Sequence, residues 1–227
     1  MIVIQTAKLS KEYHLNGLSI SALNSVDLNF EKGEFSSIAG PSGSGKSTFL
    51  HLIGCLDTPT SGSISVCGKD TAQLDKKSLA LLRRKSIGFV FQAYNLIPVL
   101  STIENISFPL VLLGYSARES NELARNMLYR VGLEGMENRR PKEMSGGQQQ
   151  RVAIARALVK QPELVLADEP TANLDSATAR EILELMLTLN QNEGVTFVFS
   201  THDQLVLEYA RRIVRLRDGA IESEEHR

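Results

Sequence analysis

The chain has 227 residues, of which 42% are hydrophobic, and its formal net charge is −1. This length suits one or two domains with a substantial core, and the balanced charge offers no broad basic surface for nucleic acid. The two cysteines, Cys55 and Cys67, form no CxxC pair, so no disulfide framework is expected and a reducing cytoplasm fits the composition.

The apolar segments of the chain predict no direct insertion into a membrane. Residues 1–5 have neither the cationic region nor the long apolar region of a signal peptide. No apolar run approaches the roughly 18 residues of a membrane-spanning helix. Any role at a membrane is therefore expected to depend on a partner.

The remaining pattern predicts alternating strands and helices. Apolar runs predict strands at residues 2–4, 18–20, 26–30, 34–39, 87–91, 164–167 and 196–200. Helical spacing predicts helices at residues 48–53, 118–131, 148–159 and 176–189. Continuous apolar strands suit a parallel sheet buried on both faces. Because residues 93–160 are mostly helical, we expect an α/β core with a helical insertion, followed by a charged, frayed tail at residues 222–227.

A glycine-rich loop lies between the strand predicted at 34–39 and the helix predicted at 48–53. It fits the pattern G-x-x-x-x-G-K-[ST] with Gly40, Pro41, Ser42, Gly43, Ser44, Gly45, Lys46 and Ser47. Glycines let backbone N–H groups turn around phosphate oxygens, and the following helix, with Thr48, directs its positive end at the same anion. Lys46 would bridge the β- and γ-phosphates, and the Ser47 hydroxyl would hold Mg²⁺. The motif predicts a P-loop nucleoside triphosphatase and leaves kinases, GTPases and motor ATPases open.

Two carboxylates and a histidine follow later strands. Asp168 ends an apolar strand and suits Mg²⁺, because a hard cation prefers oxygen ligands. Glu169 points the other way on a strand, which frees it to act as general base or orienter of a water beside the γ-phosphate. His202 could contact a γ-phosphate oxygen, although a lone histidine is more often structural.

A second anion site is predicted well after the first. The run Met144, Ser145, Gly146, Gly147, Gln148 places small residues before a helix whose first N–H groups are free. This run and residues 149–158 resemble the LSGGQ signature of the ABC ATPases. A second anion site makes sense if it caps the γ-phosphate held by another subunit.

Further motifs of the ABC family occur in the family's order. The resemblance assigns adenine stacking to Tyr13, contact with Mg²⁺ and the attacking water to Gln92, the D-loop to Asp175, and the switch histidine to His202. It implies that Glu169, His202 and Gln92 are catalytic, and that Mg²⁺ is held by Ser47, Gln92 and Asp168.

The resemblance covers about residues 2–221 and implies a single ATP-binding domain over residues 1–227. A RecA-like parallel-sheet core at about 1–92 and 161–227 would carry an antiparallel β subdomain and a helical subdomain at about 93–160. The implied activity is hydrolysis of ATP to ADP and phosphate with Mg²⁺. Two copies would pack head to tail, so that each ATP lies between the phosphate loop of one copy and the signature and D-loop residues of the other, namely Ser145, Gly146, Gly147, Gln148 and Asp175.

The likeness is greatest to the macrolide-exporter and lipoprotein-releasing branch, through residues 95–106, the three glutamines at 148–150, and residues 166–175. That branch implies a separate transmembrane permease, in some systems a periplasmic adaptor, and a position on the cytoplasmic face of the membrane. Cell-division ATPases of the same family share much of the pattern and are the alternative. ABC ATPases that act on DNA or ribosomes have long coiled-coil insertions or two cassettes, and neither feature is present here.

Two departures and one candidate surface complete the comparison with the family. Met144 replaces the usual leucine, which is a mild apolar change. Ala172 replaces a common glycine and would cost about 1 kcal/mol if the position required a positive φ. Residues 93–115, with Tyr94, Leu96, Ile97, Val99 and Leu100, are expected to form a groove for a coupling helix of the permease, and ordinary packing inside the helical insertion is the alternative.

Overall fold

The structure is a computed structural model and describes residues 1–15 and 18–227. Within these residues the chain forms a four-stranded antiparallel sheet, a six-stranded and mostly parallel sheet, and seven α-helices. The strands are β1 (Ile2–Leu15), β2 (Leu18–Glu31), β3 (Phe35–Ala39), β4 (Ser61–Val66), β5 (Lys69–Asp70), β6 (Ile87–Phe91), β7 (Leu164–Asp168), β8 (Thr196–Thr201), β9 (Arg212–Arg217) and β10 (Ala220–His226). The helices are α1 (Lys46–Ile53), α2 (Lys76–Ser86), α3 (Thr102–Leu112), α4 (Ala117–Arg130), α5 (Gly146–Leu158), α6 (Ser176–Glu193) and α7 (Gln204–Tyr209).

The six-stranded sheet has the order β10-β9-β3-β8-β7-β6, and its strands β9, β3, β8, β7 and β6 are parallel. Ala39 pairs in register with Thr201, and Asp168 pairs with Ser200. The segments that follow β3, β7 and β8 therefore leave the sheet together, at the carboxyl end where ligands bind in open α/β folds.

Both faces of this sheet are buried, which explains why its strands are continuously apolar in the sequence. On one face, the rings of Phe35 and Phe199 pack with centroids 4.7 Å apart, in the same buried cluster as residues of α5 and α6. On the other face, Ile38 and Val198 belong to a second buried cluster that includes Phe49 of α1. The predicted α/β core is confirmed.

The antiparallel sheet has the order β2-β1-β4-β5 and forms the predicted antiparallel β subdomain. Sequence patterning predicted only short strands at its start, whereas β1 and β2 each extend over 14 residues. Shifts of register interrupt their pairing, and such irregularities break the alternation of apolar residues from which strands are predicted. Phe30 of β2 packs on Phe49 of α1, with ring centroids 6.4 Å apart, so the sheet is fixed against the phosphate-loop helix.

Three helices, α3, α4 and α5, lie between β6 and β7 and form the predicted helical insertion. Each begins with a capping box, made by Ser101 with Glu104, Ser116 with Glu119, and Ser145 with Gln148. Such reciprocal bonds satisfy N–H groups that a helix start leaves free. The proposed subdomain limits of 93 and 160 stay a prediction.

The prediction of a frayed tail at residues 222–227 is wrong. Residues 220–226 form β10, which pairs antiparallel with β9. Ion pairs of 2.9, 3.0 and 2.8 Å join the two strands, from Arg212 to Glu224, Arg215 to Glu225, and Arg217 to Glu222. Opposite charges facing each other across a ladder stabilise it, and a composition rule that equates charge with disorder misses this.

Other differences concern single elements. Helices α2, α3 and α7 and strands β4, β5, β9 and β10 were not predicted individually, because they are short or lack a clear apolar period. Both cysteines are free, as expected. Of the helices in the described part of the chain, none combines the length and the hydrophobicity that a membrane span requires.

Candidate functional site

The loop after β3 has the backbone geometry that the glycine pattern predicts. Gly40, Gly43 and Gly45 all have positive φ, at 152°, 81° and 102°. A Cβ on Gly40 would lie 2.2 Å from the carbonyl oxygen of Leu216, and one on Gly45 would lie 2.5 Å from that of Ala22. Side chains at Gly40 and Gly45 would therefore collide with backbone as well as strain the loop.

Lys46 is the first residue of α1, and its side chain turns back over the loop. Its ammonium donates hydrogen bonds to the carbonyl oxygens of Gly40 at 2.8 Å and Pro41 at 2.9 Å. The helix has Gly45 at its N-cap and no side-chain cap, so its first N–H groups and its positive end remain available to an anion. Loop, cation and helix together make a site for phosphate oxygens.

Oxygen donors suited to a magnesium ion lie beside the loop. The Ser47 hydroxyl donates to Oδ1 of Asp168 at 3.4 Å. Gln92 lines the same cleft as Ser47 and brings an amide oxygen. Residues 1–15 and 18–227 contain no group of three His, Cys, Asp or Glu side chains placed so that they alone could hold a metal ion. This donor set fits Mg²⁺, which binds through one or two carboxylates together with substrate phosphates.

Glu169 is held by the strand that follows it in the chain. Its Oε2 accepts a hydrogen bond from the Thr201 hydroxyl at 2.9 Å, and its Oε1 lies 2.6 Å from Nδ1 of His202. An ionised carboxylate only accepts hydrogen bonds, so this contact requires the histidine tautomer that carries a proton on Nδ1. Glu169 also has a φ of 44°, and such left-handed backbone at a non-glycine residue is typical of strained functional sites.

Thr201 was missed by the sequence analysis because threonine in a strand looks like an ordinary β-former. Its oxygen accepts from the backbone N–H of Asp203 at 3.0 Å while its hydroxyl donates to Glu169. Asp203 in turn accepts from the Thr171 hydroxyl at 3.1 Å. The orientation of the Glu169 carboxylate therefore depends on a partly buried network that spans the segments after β7 and β8.

These groups converge on one cleft of about 380 Å³. Its lining joins predicted residues to a segment of β2 that the sequence analysis did not single out: Ile20, Ser21, Ala22, Ser42, Gly43, Gly45, Lys46, Ser47, Thr48, Gln92, Glu169 and His202. A cleft of about 570 Å³ lies at the other end of β3, around Phe35 and Arg212, and contains none of the predicted site residues. Chemistry, and not size, therefore identifies the site.

Tyr13 lies near this cleft without lining it. It pairs across the sheet with Ile20, which does line the cleft, and its hydroxyl donates to Oδ2 of Asp57 at 2.9 Å. Burial, followed by the hydrogen bond with Asp57, raises the pKa of Tyr13. Burial opposes ionisation of Asp57, but hydrogen bonds from Lys11, Thr58 and Tyr13 lower its pKa overall. The ring is thus anchored by its hydroxyl, and its stacking role stays a prediction.

The signature residues form a separate site at the start of α5. Ser145 is the N-cap and accepts from the N–H of Gln148 at 3.3 Å, and Gln148 accepts from the N–H of Ser145 at 2.9 Å. The expectation of free N–H groups is therefore wrong for Gln148, and helix geometry leaves those of Gly146 and Gly147. A Cβ on Gly147 would lie 2.5 Å from Cγ2 of Thr178, so a side chain at this position would have to displace the Thr178 side chain.

The D-loop aspartate and the two departures from the family pattern also have clear positions. Asp175 is the N-cap of α6 and accepts from the N–H groups of Ala177 and Thr178 at 3.1 and 3.0 Å. Hydrogen bonds with Thr178 lower its pKa.

Met144 is buried in the core, as a replacement for leucine should be. Ala172 does not have a positive φ, so the strain considered for it does not arise.

Among the described residues, no member of the signature or D-loop lines the cleft at the phosphate loop. The structure brings Gln92, Glu169, His202 and the phosphate loop together, and it leaves Ser145, Gly146 and Gly147 outside. Within one copy, the two predicted anion sites are thus separate.

The site combines a phosphate loop, oxygen donors beside it, and the Glu169 carboxylate, which Thr201 and His202 hold in place. These features define a P-loop ATPase that uses Mg²⁺. The sequence profile of the ABC transporter family matches residues 23–172, and the chain belongs to that family. As an ATP-binding protein of this family, it hydrolyses ATP to ADP and phosphate with Mg²⁺.

Curated relatives resemble the chain over nearly its whole length. It is 45% identical over 224 residues to the lipoprotein-releasing system ATP-binding protein LolD of Legionella pneumophila, and the match covers 99% of each protein. It is 46% identical over 226 residues to the macrolide export ATP-binding/permease protein MacB of Syntrophobacter fumaroxidans. The chain spans only 32% of that longer protein.

Solved structures agree with the fold. The ATP-binding cassette MJ0796 of Methanocaldococcus jannaschii, solved as a dimer in a post-hydrolysis state with ADP and phosphate, has a TM-score of 0.90 at 45% identity, with 98% of both chains covered. CbiO1 from Clostridium perfringens, part of the transporter complex cbiONQ, has a TM-score of 0.89 at 29% identity and covers 99% of this chain and 88% of its own.

Proposed function

We propose that the chain energises a membrane complex of the macrolide-export or lipoprotein-release type, as a head-to-tail dimer bound to separate permease subunits. The observation that carries this proposal is the separation of the signature from the phosphate-loop cleft within one copy. Because the phosphate loop and the start of the signature helix lie apart within one copy, both can bind the same triphosphate only if a second copy supplies one of the two sites. The dimeric state of the solved relative MJ0796 supports a dimer of this chain.

The catalytic step follows from the positions of the side chains. Lys46 and the N–H groups of the loop would neutralise the β- and γ-phosphates, and Ser47, Asp168 and Gln92 would hold Mg²⁺, which supplies charge neutralisation at the phosphates when bound. Glu169 would accept a proton from the water that attacks the γ-phosphorus, as the bond to ADP breaks. His202 would keep this carboxylate oriented through the 2.6 Å contact.

A mixing experiment tests the head-to-tail arrangement. Lys46→Ala disables the phosphate loop, and Ser145→Arg blocks the exposed start of the signature helix. Each variant alone should be inactive. An equal mixture should recover roughly a quarter of wild-type turnover, because half of the dimers are mixed and each of these has one intact composite site. Failure of the mixture to recover any activity, with mixed dimers demonstrated by crosslinking, would exclude a site shared between copies.

The proposed permease site is a groove between β6, α3 and α5. It is lined by small and aliphatic, aromatic, polar and cationic residues, namely Ile87, Gly88, Phe89, Phe91, Asn95, Pro109, Arg156, Ala157 and Lys160. The rings of Phe89 and Phe91 are stacked 5.7 Å apart. Exposed apolar side chains lie on the same subdomain at Val99, Phe108, Val111, Leu112 and Tyr115. Exposed apolar surface of this kind is typical of a protein–protein contact.

The structure divides the groove residues expected from the sequence. Leu96 packs against the main core cluster, so ordinary packing accounts for it, whereas Val99 is 73% exposed. The informative variants are therefore Val99→Asp and Val111→Asp. Tyr129→Asp is the matched control, because Tyr129 is 68% exposed but lies on α4, whereas Val99 and Val111 lie just before and on α3.

The variants are assayed with the membrane protein encoded beside this chain, reconstituted in nanodiscs. We expect Val99→Asp and Val111→Asp to lose stimulation of ATPase activity by that protein, and the control to keep it. A partner with a large periplasmic domain, or one that recruits a periplasmic adaptor, supports the proposal and places the chain on the cytoplasmic face of the membrane. A partner that assembles with cell-division proteins would favour the regulatory alternative instead.

A further inference from the structure

The segment after Gln92 has an unusual backbone. Tyr94 and Asn95 are consecutive residues with positive φ, at 60° and 49°. Non-glycine residues seldom adopt this region, and bulky ones such as tyrosine do so only where the surroundings hold them there. Local turns do part of this, since the N–H of Tyr94 donates to Phe91 at 3.1 Å and that of Asn95 donates to Ala93 at 2.6 Å.

The signature helix supplies the rest of the restraint through Arg156. Its guanidinium donates to the carbonyl oxygen of Tyr94 at 2.8 Å and to that of Asn95 at 2.5 Å. Among the described residues no carboxylate pairs with Arg156, and burial lowers its pKa. A partly buried guanidinium whose hydrogen bonds go to two carbonyls of one loop has the planar fork geometry suited to fixing that loop.

The same loop contacts the other end of this helix. The hydroxyl of Tyr94 lies 2.8 Å from the position that a Cβ on Gly146 would occupy, so the end of the Tyr94 side chain contacts the signature. The carbonyl of Gln92 accepts a hydrogen bond from the amide of Asn173 at 3.0 Å. Residues 92–95 are therefore attached to both ends of α5 and to the segment that follows Glu169.

We propose that Arg156 is a positioning residue for ATP hydrolysis, which fixes Gln92 relative to the signature helix. Because Arg156 and Asn95 also line the groove between β6, α3 and α5, a shift of α5 or a ligand in that groove moves the carbonyls that Arg156 holds, and Gln92 moves with them. This inference rests on the proposed role of Gln92 as a ligand of Mg²⁺ and of the attacking water.

The test compares Arg156→Met and Arg156→Lys with a matched control, Arg151→Met. Arg151 lies on the same helix and also donates to a backbone carbonyl, that of Val131 at 3.0 Å, but away from the loop. We expect Arg156→Met to lower kcat about tenfold, the effect of losing a charged hydrogen bond, and to raise the Mg²⁺ concentration needed for half-maximal turnover. The KM for ATP should stay near the wild-type value, and Arg156→Lys should recover part of kcat.

Hydrogen exchange provides a readout that does not depend on turnover. In Arg156→Met, the amides of residues 92–96 should exchange faster than in the wild type, and those of the phosphate loop should exchange at the wild-type rate. In the control Arg151→Met, the amides of residues 92–96 should also exchange at the wild-type rate. Thermal melting verifies that each variant is folded. Unchanged exchange at residues 92–96 in folded Arg156→Met would overturn the proposed restraint.

A double-mutant cycle with Gln92→Ala separates this inference from the proposed function. If Arg156 acts through Gln92, the double variant should be no slower than Gln92→Ala alone. Additive losses, or a normal kcat in Arg156→Met beside a slow Gln92→Ala, would overturn the role of Arg156 and leave that of Gln92 intact. Wild-type turnover in Gln92→Ala would instead refute the role of Gln92, and the positioning role of Arg156 with it.

Discussion

Glu169→Gln removes the proposed base while keeping its volume and one acceptor oxygen. In the wild type, one carboxylate oxygen accepts from Thr201 at 2.9 Å and the other lies 2.6 Å from His202. Glutamine can keep the acceptor toward Thr201, but it cannot take a proton from water. General bases contribute about 10²- to 10⁴-fold, so we expect kcat to fall by that factor, or about 3–5 kcal/mol in barrier height.

Binding of ATP should survive this change, because the contacts of Lys46 with the phosphate loop do not involve Glu169. The variant should therefore accumulate as a dimer with Mg²⁺ and ATP, and revert to monomer with ADP. Single-turnover hydrolysis and light scattering after gel filtration measure the two effects. Glu122→Gln on the exposed face of α4 is the control. Wild-type turnover in Glu169→Gln, or a dimer that is indifferent to ATP, would refute this reasoning.

Three further predictions concern the loop, the base and the thiols. Lys46→Ala should lose at least tenfold in ATP affinity, measured with a fluorescent nucleotide, because a charged hydrogen-bond donor to phosphate contributes about 1.5–3 kcal/mol; unchanged binding would contradict the loop geometry. Thr201→Val should free the Glu169 carboxylate and so lower kcat, with little change in the KM for ATP. Thr201→Ser keeps the hydroxyl and should keep most of the activity. Equal activity in the two variants would show that the hydroxyl is not needed. Burial raises the pKa of Cys55 to about 11 and that of Cys67 to about 12. At pH 8 both thiols should therefore react slowly with a disulfide reagent in the folded protein and quickly in denaturant. Rapid reaction in the native state would refute this.

The phosphate loop shows that the conformation of a short segment can be predicted from its own residues. Glycine at positions 40, 43 and 45 and lysine at 46 encode a loop that depends on its own backbone torsions, and the structure has the positive φ values that this requires. The strand ends at Asp168 and His202 were predicted for a similar reason, because apolar runs and the polar residues that end them are adjacent in the chain. Parallel pairing then brings them together.

The tail and the restraints on the catalytic groups depended on tertiary structure. Residues 222–226 lie in β10, where three arginines of β9 form ion pairs with their charges. Nothing in the sequence indicated that those arginines would be the partners of this segment. Thr201 and Arg156 act on groups 32 and 61–62 positions away in the chain. No local period or spacing encodes such a contact.

By itself, the sequence determined the chemistry of this protein: a phosphate loop, two acids, a histidine and a signature whose residue types suit ATP and Mg²⁺. Only the tertiary structure decided which of these groups share a cleft and which remain apart. The reason is physical, since residue type and backbone torsion are local properties, whereas a hydrogen bond to Glu169 or to the loop after Gln92 exists only once distant segments have packed.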